Sequence, residues 1–296
     1  MMAGFDAHPA IRATFDQAST VLGQDLWTLV SSGPEADLNQ TFNTQPVMLT
    51  AGVAVWRAWQ EAGGPMPVVV AGHSLGEYTA LVATGALDFA DALPLVRFRA
   101  QAMQEAVPAG VGAMAAILGL DAGAVAAVCR DATSGASQVL ESVNFNGPEQ
   151  IVIAGHKEAV VRAIDLANER GAKRGVLLPV SAPFHSSLLR PAVEKLAVKL
   201  AGVTLNPPSI PVLHNVDVSE RRDADGIRTA LAQQAASPVR WVEIIEAFAA
   251  RGVTHVVECG PGRVLSGMNK RIVRELKSLA LTDGADIDAA KAALAG

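Results

Sequence analysis

The chain has 296 residues, half of them apolar and 18% charged, which suits a folded protein with a large core and excludes a disordered one. Its net charge of −5 implies no broad basic field, so nucleic acid is not expected as the main partner. The longest apolar runs are strand-sized, far short of a membrane span. The N-terminus has neither the basic nor the apolar region of a signal peptide. Cys129 and Cys259 lie far apart and show no metal-ligand spacing. Two buried thiols in a reducing compartment, and hence a cytoplasmic protein, are expected.

Residues 9–62 read as helical, with Phe15, Ala18, Val21 and Leu22 and then Leu49, Val53, Val55, Trp56 and Trp59 at helical spacing. Gly63-Gly64-Pro65 ends the second helix. The run 67–71 has the continuous apolar character of a strand buried on both faces of a parallel sheet. Helical periodicity resumes over 77–86 and 91–105, and the succession strand, tight turn, helix is α/β architecture.

Residues 112–180 carry a smaller pattern: strand 112–119, helix 122–130, strands 138–144 and 150–155 joined through Gly147-Pro148, helix 158–171, strand 175–180. That βαββαβ order matches a ferredoxin-like unit, read as a subdomain inserted into a larger α/β domain formed by 1–111 and 181–296. The larger domain continues with helix 187–200, strand 210–214, helices near 224–236 and 240–251, and strand 253–258 leading into Gly260-Pro261-Gly262. After Thr282 the chain reads as a loose tail with a final helical turn at most.

Gly72-His73-Ser74-Leu75-Gly76 follows an apolar strand and precedes a helix, the context in which Gly-x-Ser-x-Gly forms a nucleophile elbow. The glycines relieve crowding around a sharp turn that lifts the Ser74 hydroxyl clear of the sheet. The helix beginning near Glu77 aims its amides and positive dipole end at the reacting carbonyl, and the Leu75 amide is the natural first oxyanion donor. By itself the pattern arises often in a glycine-rich chain; between Val68-Val69-Val70 and a helix, the functional meaning is favoured.

A serine hydroxyl needs a base. Of six histidines, His8 and His156 fit the surface, His73 fits a structural contact inside the turn, and His214 and His255 fit apolar strands as satisfied core residues. His185 lies in the loop Ser181-Ala182-Pro183-Phe184-His185-Ser186 after a strand, where catalytic groups of open α/β sheets collect. On position alone it is the best placed of the six.

These residues resemble the malonyl-CoA:acyl carrier protein transacylase family. The matches run nearly the full length: Thr44-Gln45-Pro46, the elbow through Glu77, Arg99 ahead of Met103-Gln104-Glu105-Ala106-Val107-Pro108, and Asn144-Phe145-Asn146. Gln150-Ile151-Val152-Ile153-Ala154-Gly155, Pro183-Phe184-His185-Ser186, Asn215-Val216-Asp217 and Glu258 with Gly260-Pro261-Gly262 come next in order. The resemblance implies an α/β-hydrolase-like parallel-sheet domain with a ferredoxin-like insert. It implies Ser74 as nucleophile, His185 as base, and the backbone carbonyl of Gln234 in place of a carboxylate third member. It also implies that Arg99 grips the substrate carboxylate, for which a planar guanidinium is suited. Met103 would line the acyl pocket or else be core, and Gln45 and Asn144 would border it. Phe184 resembles the version of its motif found in malonyl-selective domains. Arg97, two positions before Arg99, fits an ordinary helix-surface arginine better.

The implied reaction is ping-pong transfer of malonyl from malonyl-CoA to the phosphopantetheine thiol of acyl carrier protein, with no metal and no cofactor beyond the coenzyme A thioester. It would supply fatty acid biosynthesis, and the expected oligomeric state is a monomer. Carrier proteins are acidic, so Lys173, Arg174, Lys270 and Arg271 are candidates for a docking patch, although charged residues are more often a solvated face. Two rivals remain: a serine thioesterase or esterase, which would carry an acid between the serine and a late histidine, and a non-catalytic carrier-binding relative.

The family opens with an apolar strand and a Gly-Gln-Gly-Ser-Gln loop that supplies a second oxyanion amide, and nothing here matches either. Gly23-Gln24 stands in the wrong context, before Asp25-Leu26-Trp27, and Met1-Met2-Ala3-Gly4 looks like the segment that comes after the loop in relatives. The expectation is that translation starts upstream and that the 296 residues alone are poorly soluble or nearly inactive.

Overall fold

The computed structural model describes residues 2–5, 8–180 and 182–295. A 3-10 turn at Ala3–Phe5 precedes four α-helices: α1 (Pro9–Leu22), α2 (Leu26–Ser32), α3 (Glu35–Leu38) and α4 (Thr41–Glu61). Gly23 ends α1 in the left-handed conformation at φ 62°, and Asp25 caps α2 by accepting from the Thr28 amide. Gly23-Gln24 is therefore a helix cap. The Gln24 side chain bonds Asn43 and Arg97, and it plays no part at Ser74. Arg97 departs from a plain surface residue: it donates to the Leu22 carbonyl and stacks over Phe42, tying α1 to α4.

α4 buries residues on every side, from Val47 to Trp59, because α1, α5 (Gly76–Ala83) and α6 (Phe89–Glu105) surround it. At Gly52 an added Cβ would stand 2.7 Å from Thr79 Cγ2, so glycine permits the close approach of α4 to α5.

The parallel strands of this larger part are short. β1 (Val70–Ala71) pairs with β6 (Val212–Leu213), and β7 (His255–Cys259) pairs with β8 (Lys277–Leu281). No ladder joins the two pairs among the described residues. The strand expected over 67–71 shrinks to two residues because Pro67 lacks an amide hydrogen and Val68 is exposed. The last segment also differs from expectation. α12 (Val264–Ile272), β8 and α13 (Gly284–Ala295) occupy the end of the chain, and Ile287 and Ala290 are buried against the main core. The tail is a packed helix because its two buried residues, at i and i+3, share one face.

Residues 112–177 form β2 (Gly112–Leu118), α7 (Ala122–Ala132), β3 (Leu140–Gly147), β4 (Gln150–His156), α8 (Lys157–Glu169) and β5 (Arg174–Leu177). The strands make an antiparallel sheet in the order β3-β4-β2-β5. Strand alternation divides its faces: Ala113, Ala115 and Ile117 pack with α7 and α8 in a core of their own. Met114, Val143, Val152 and Ala154 face the other way and meet Phe184. The sheet is tied to the larger part by Val239, whose amide donates to Val143 O and whose carbonyl accepts from the Phe145 amide.

Candidate active site

Three segments converge on Ser74. The elbow between β1 and α5 holds the serine at φ 50°, a region that side chains rarely occupy. Gly72 is required there, since a Cβ would come within 1.9 Å of the Gly76 carbonyl. Gly76 is different: nothing lies within 4 Å of its virtual Cβ, so crowding explains only one of the two glycines. The strained serine is held from outside the turn by Asn215, which comes just after β6. Its Oδ1 accepts the Ser74 amide at 2.7 Å and its Nδ2 donates to Gly72 O at 2.8 Å.

His185 brings the second segment. Its backbone is also left-handed, at φ 66°, anchored by its amide to Ala235 O. Ser74 Oγ lies 2.7 Å from His185 Nε2, and His185 Nδ1 lies 2.9 Å from Gln234 O. A carbonyl only accepts, so Nδ1 carries the hydrogen and the Nε2 lone pair faces the serine hydroxyl. Gln234 is the last residue of α10 (Ala224–Gln234). Its carbonyl is among those a helix leaves without an internal partner, and the negative dipole end favours an imidazolium nearby. Burial first, and then the Arg99 cation, hold the imidazole pKa down at about 3, so it is neutral at pH 7 and its Nε2 lone pair is free to accept a proton. Of the loop 181–186, Ser181 lies outside the described residues.

Arg99, on α6, is the third. It is 2% exposed, and among the described residues no carboxylate touches its guanidinium. One terminal nitrogen donates to Gln45 Oε1 at 2.6 Å; the other donates to Gln234 Oε1 at 2.8 Å and to Ser74 Oγ at 3.0 Å. Among the described residues its Nε has no hydrogen-bond partner, and the group lies 5.5 Å from the centre of the Tyr78 ring. Burial lowers the pKa of this cation, an imbalance that an anionic substrate group would relieve.

The remaining candidates fall at different distances from this centre. Leu75 is the N-cap of α5, and among the described residues its amide has no hydrogen-bond acceptor. Gln45 meets Arg99 directly. Phe184 bridges the main core and the sheet of the smaller unit. Met103 is 1% exposed inside the main core. Asn144 is buried with its Nδ2 unpartnered among the described residues, while Asn146, two residues on, lies with its Oδ1 2.7 Å from His73 Nε2.

Glu77 and Asn215 stand in segments that resemble the family, but the contacts they make were not readable from the sequence. Glu77, His214 and Asn215 form a buried cluster beside the elbow, with His214 Nδ1 2.7 Å and the Asn215 amide 2.9 Å from the Glu77 carboxylate. Glu141 on β3 accepts from both the amide and the hydroxyl of Ser187, at 2.7 Å each, fastening the loop that carries His185. A polar residue inside an otherwise apolar strand, such as His214, and the matched motifs that hold Glu77 and Asn215 are the hints available beforehand.

Among the described residues no group of His, Cys, Asp and Glu is arranged to hold a metal, and no helix is long and apolar enough to cross a membrane. Residues 4–296 match the acyl transferase domain family. The malonyl CoA-acyl carrier protein transacylase of Salmonella typhimurium is 52% identical, over 96% of this chain and 91% of that protein. The solved acyl-carrier-protein S-malonyltransferase of Burkholderia pseudomallei superposes with a TM-score of 0.96 at 57% identity, covering 98% of this chain and 94% of that one. A malonyl-transacylase solved in complex with its type II PKS acyl-carrier protein gives a TM-score of 0.96 at 49% identity, covering 99% and 94%. The chain belongs to the acyl transferase family, and within it to the malonyl CoA-acyl carrier protein transacylases.

Proposed function

We propose that this protein moves malonyl from coenzyme A to the phosphopantetheine thiol of an acyl carrier protein through an ester on Ser74. The observation that carries it is the buried Arg99 guanidinium 3.0 Å from the nucleophilic oxygen. A malonyl ester places its carboxylate only two carbons beyond the ester oxygen, so the cation that grips it must stand close to Oγ. An esterase or thioesterase acting on neutral acyl groups gains nothing from such a charge.

His185 Nε2 takes the Ser74 proton as Oγ attacks the thioester carbonyl, and the new oxyanion faces the Leu75 amide. Collapse breaks the carbon–sulfur bond, and the imidazolium returns its proton to the departing thiolate. The carrier thiol then gives its proton to His185 and attacks the ester, and Ser74 leaves as the hydroxyl. Gln234 O holds the imidazole, Gln45 and the Gln234 side chain aim Arg99, and Phe184, Met103 and Asn144 shape the acyl pocket.

The division into 1–111 with 181–296 and an inserted unit of 112–180 belongs to the same proposal, supported by the separate apolar core of the smaller part. The carrier would dock at one end of that unit. Lys173 meets Glu149 and Arg271 meets the adjacent Gln150, which supports a patch of these two cations with their chain neighbours Arg174 and Lys270. The two free thiols, both pushed above their ordinary pKa by burial, suit a reducing cytoplasm.

Incubation with radiolabelled malonyl-CoA, with and without phosphopantetheinylated carrier, tests the proposal. Label on Ser74 that passes to carrier is expected. Release of free malonate instead would favour the thioesterase, and no label at all the non-catalytic relative.

A further inference from the structure

Glu77 is fully buried three residues after the nucleophile, and the steps of malonyl transfer leave it without a role. Its carboxylate meets three donors. Oε1 lies 2.7 Å from His214 Nδ1, and Oε2 accepts from the Asn215 amide and from Gln234 Nε2, both at 2.9 Å. Each path beyond the Oε2 partners reaches the reaction centre within one residue. Asn215 holds the Ser74 amide, while Gln234 holds Ser74 O, Arg99 and, through its backbone, His185.

The Gln234 side chain is the informative member, because an amide has one donating and one accepting end. Two acceptors converge on its nitrogen: Glu77 Oε2 at 2.9 Å and Ser74 O at 3.0 Å. Its oxygen is thereby turned to Arg99. The reversed amide would set its NH2 against the guanidinium and its oxygen against a carboxylate, two repulsive contacts at a buried position where the low dielectric strengthens both.

We propose that Glu77 is a positioning residue for acyl selection, fixing the Gln234 amide so that its oxygen holds the Arg99 guanidinium beside Ser74 Oγ. This rests on the malonyl-transfer function proposed for the site. It differs from a purely architectural role, in which Glu77 only fastens α5 to β6 through His214. In that case its loss would lower stability and slow all acyl groups alike.

The test is Glu77→Gln in the full chain, which keeps the size of the side chain but replaces one acceptor by a donor. Labelling of Ser74 by malonyl-CoA and by acetyl-CoA is measured per competent site, counted with a fluorophosphonate probe. The malonyl-to-acetyl ratio is expected to fall about tenfold, the scale of one hydrogen bond to a charged group. In an Arg99→Ala background the same substitution should leave the ratio unmoved, because Glu77 acts through Arg99. An equal fall in both backgrounds, or an unchanged ratio in the single variant, overturns the proposal. Should Glu77→Gln fail to fold, Gln234→Met removes the amide while keeping the carbonyl that holds His185. Its ratio must fall too, and an unchanged ratio overturns the relay. A wild-type protein that takes no malonyl label would instead overturn the transfer function itself.

Discussion

Ser74 Oγ and His185 Nε2 stand 2.7 Å apart although 111 residues separate them, and both residues hold left-handed backbone conformations. The strain at each end is maintained by contacts from outside its own loop: Asn215 at the serine, Ala235 O and Gln234 O at the histidine. Two strained loops held from without present a nucleophile and a base already aligned, with little ordering left for the reaction to supply.

Replacing either member should therefore remove catalysis as a unit. Ser74→Ala should abolish covalent malonyl labelling, and His185→Ala should slow it by at least about 10³-fold, with both variants retaining the wild-type melting profile within a few degrees. Near-normal turnover in the histidine variant would show that another group is the base.

Arg99→Ala should change acyl choice more than it disturbs the fold. In the wild type a neutral acyl group leaves a buried guanidinium unpaired, costing about 2–5 kcal/mol, or about 30-fold to several-thousand-fold discrimination. Removing the cation should depress malonyl transfer and raise acetyl transfer relative to it. Competition between the two labelled thioesters measures the ratio, and an unchanged ratio would exclude the role.

The pH behaviour comes from His185. Its folded pKa of about 3 lies below the ordinary 6.5, so the neutral base persists well into acid and the acid limb of kcat/KM should fall below pH 6.5. The same shift has a stability consequence. Between pH 6.5 and about 3 the unfolded chain binds a proton that the folded site refuses, so this contribution to stability is lost as pH falls through that window. Denaturant unfolding compared at about pH 7 and about pH 4 should show a smaller acid loss in His185→Gln. Because the Arg99 cation helps to lower this pKa, Arg99→Ala should also move the acid limb for acetyl labelling upward.

Glu141 fastens the His185 loop to β3 by accepting twice from Ser187. Glu141→Ala strands two donors and frees the loop, so a stability loss of about 1–3 kcal/mol is expected. kcat should fall with it, while acyl choice stays as it is, since among the described residues neither Glu141 nor Ser187 bonds Arg99 or the two glutamines that hold it. A normal kcat in the folded variant would mean the loop is set by other contacts.

The terminal helix α13 is part of the core. Ile287, 2% exposed, should cost about 2–5 kcal/mol on substitution by alanine, read as a fall in the midpoint of chemical unfolding. A loose tail would give no change.

What the sequence determined by itself was local. Apolar periodicity, the glycines at the elbow and the strand, turn and helix around Ser74 depend on residues within a few positions, so they are written in the order of the chain. The βαββαβ succession was legible for the same reason, and its sheet order emerges once those elements pair. The resemblance to acyl carrier protein transacylases then pointed to Ser74, His185, Arg99 and Gln234. Beyond the Gln234 carbonyl, tertiary structure alone decided what holds them. Glu77 with His214 and Gln234, Asn215 with Ser74, and Asn146 with His73 join positions 73 to 157 residues apart. No spacing rule links such pairs, because a buried polar side chain is satisfied by whichever segment the packing of apolar faces brings against it. Packing likewise made a helix of the final segment, since two buried apolar residues in a helix of 12 give too weak a stripe to be read without the core that receives them.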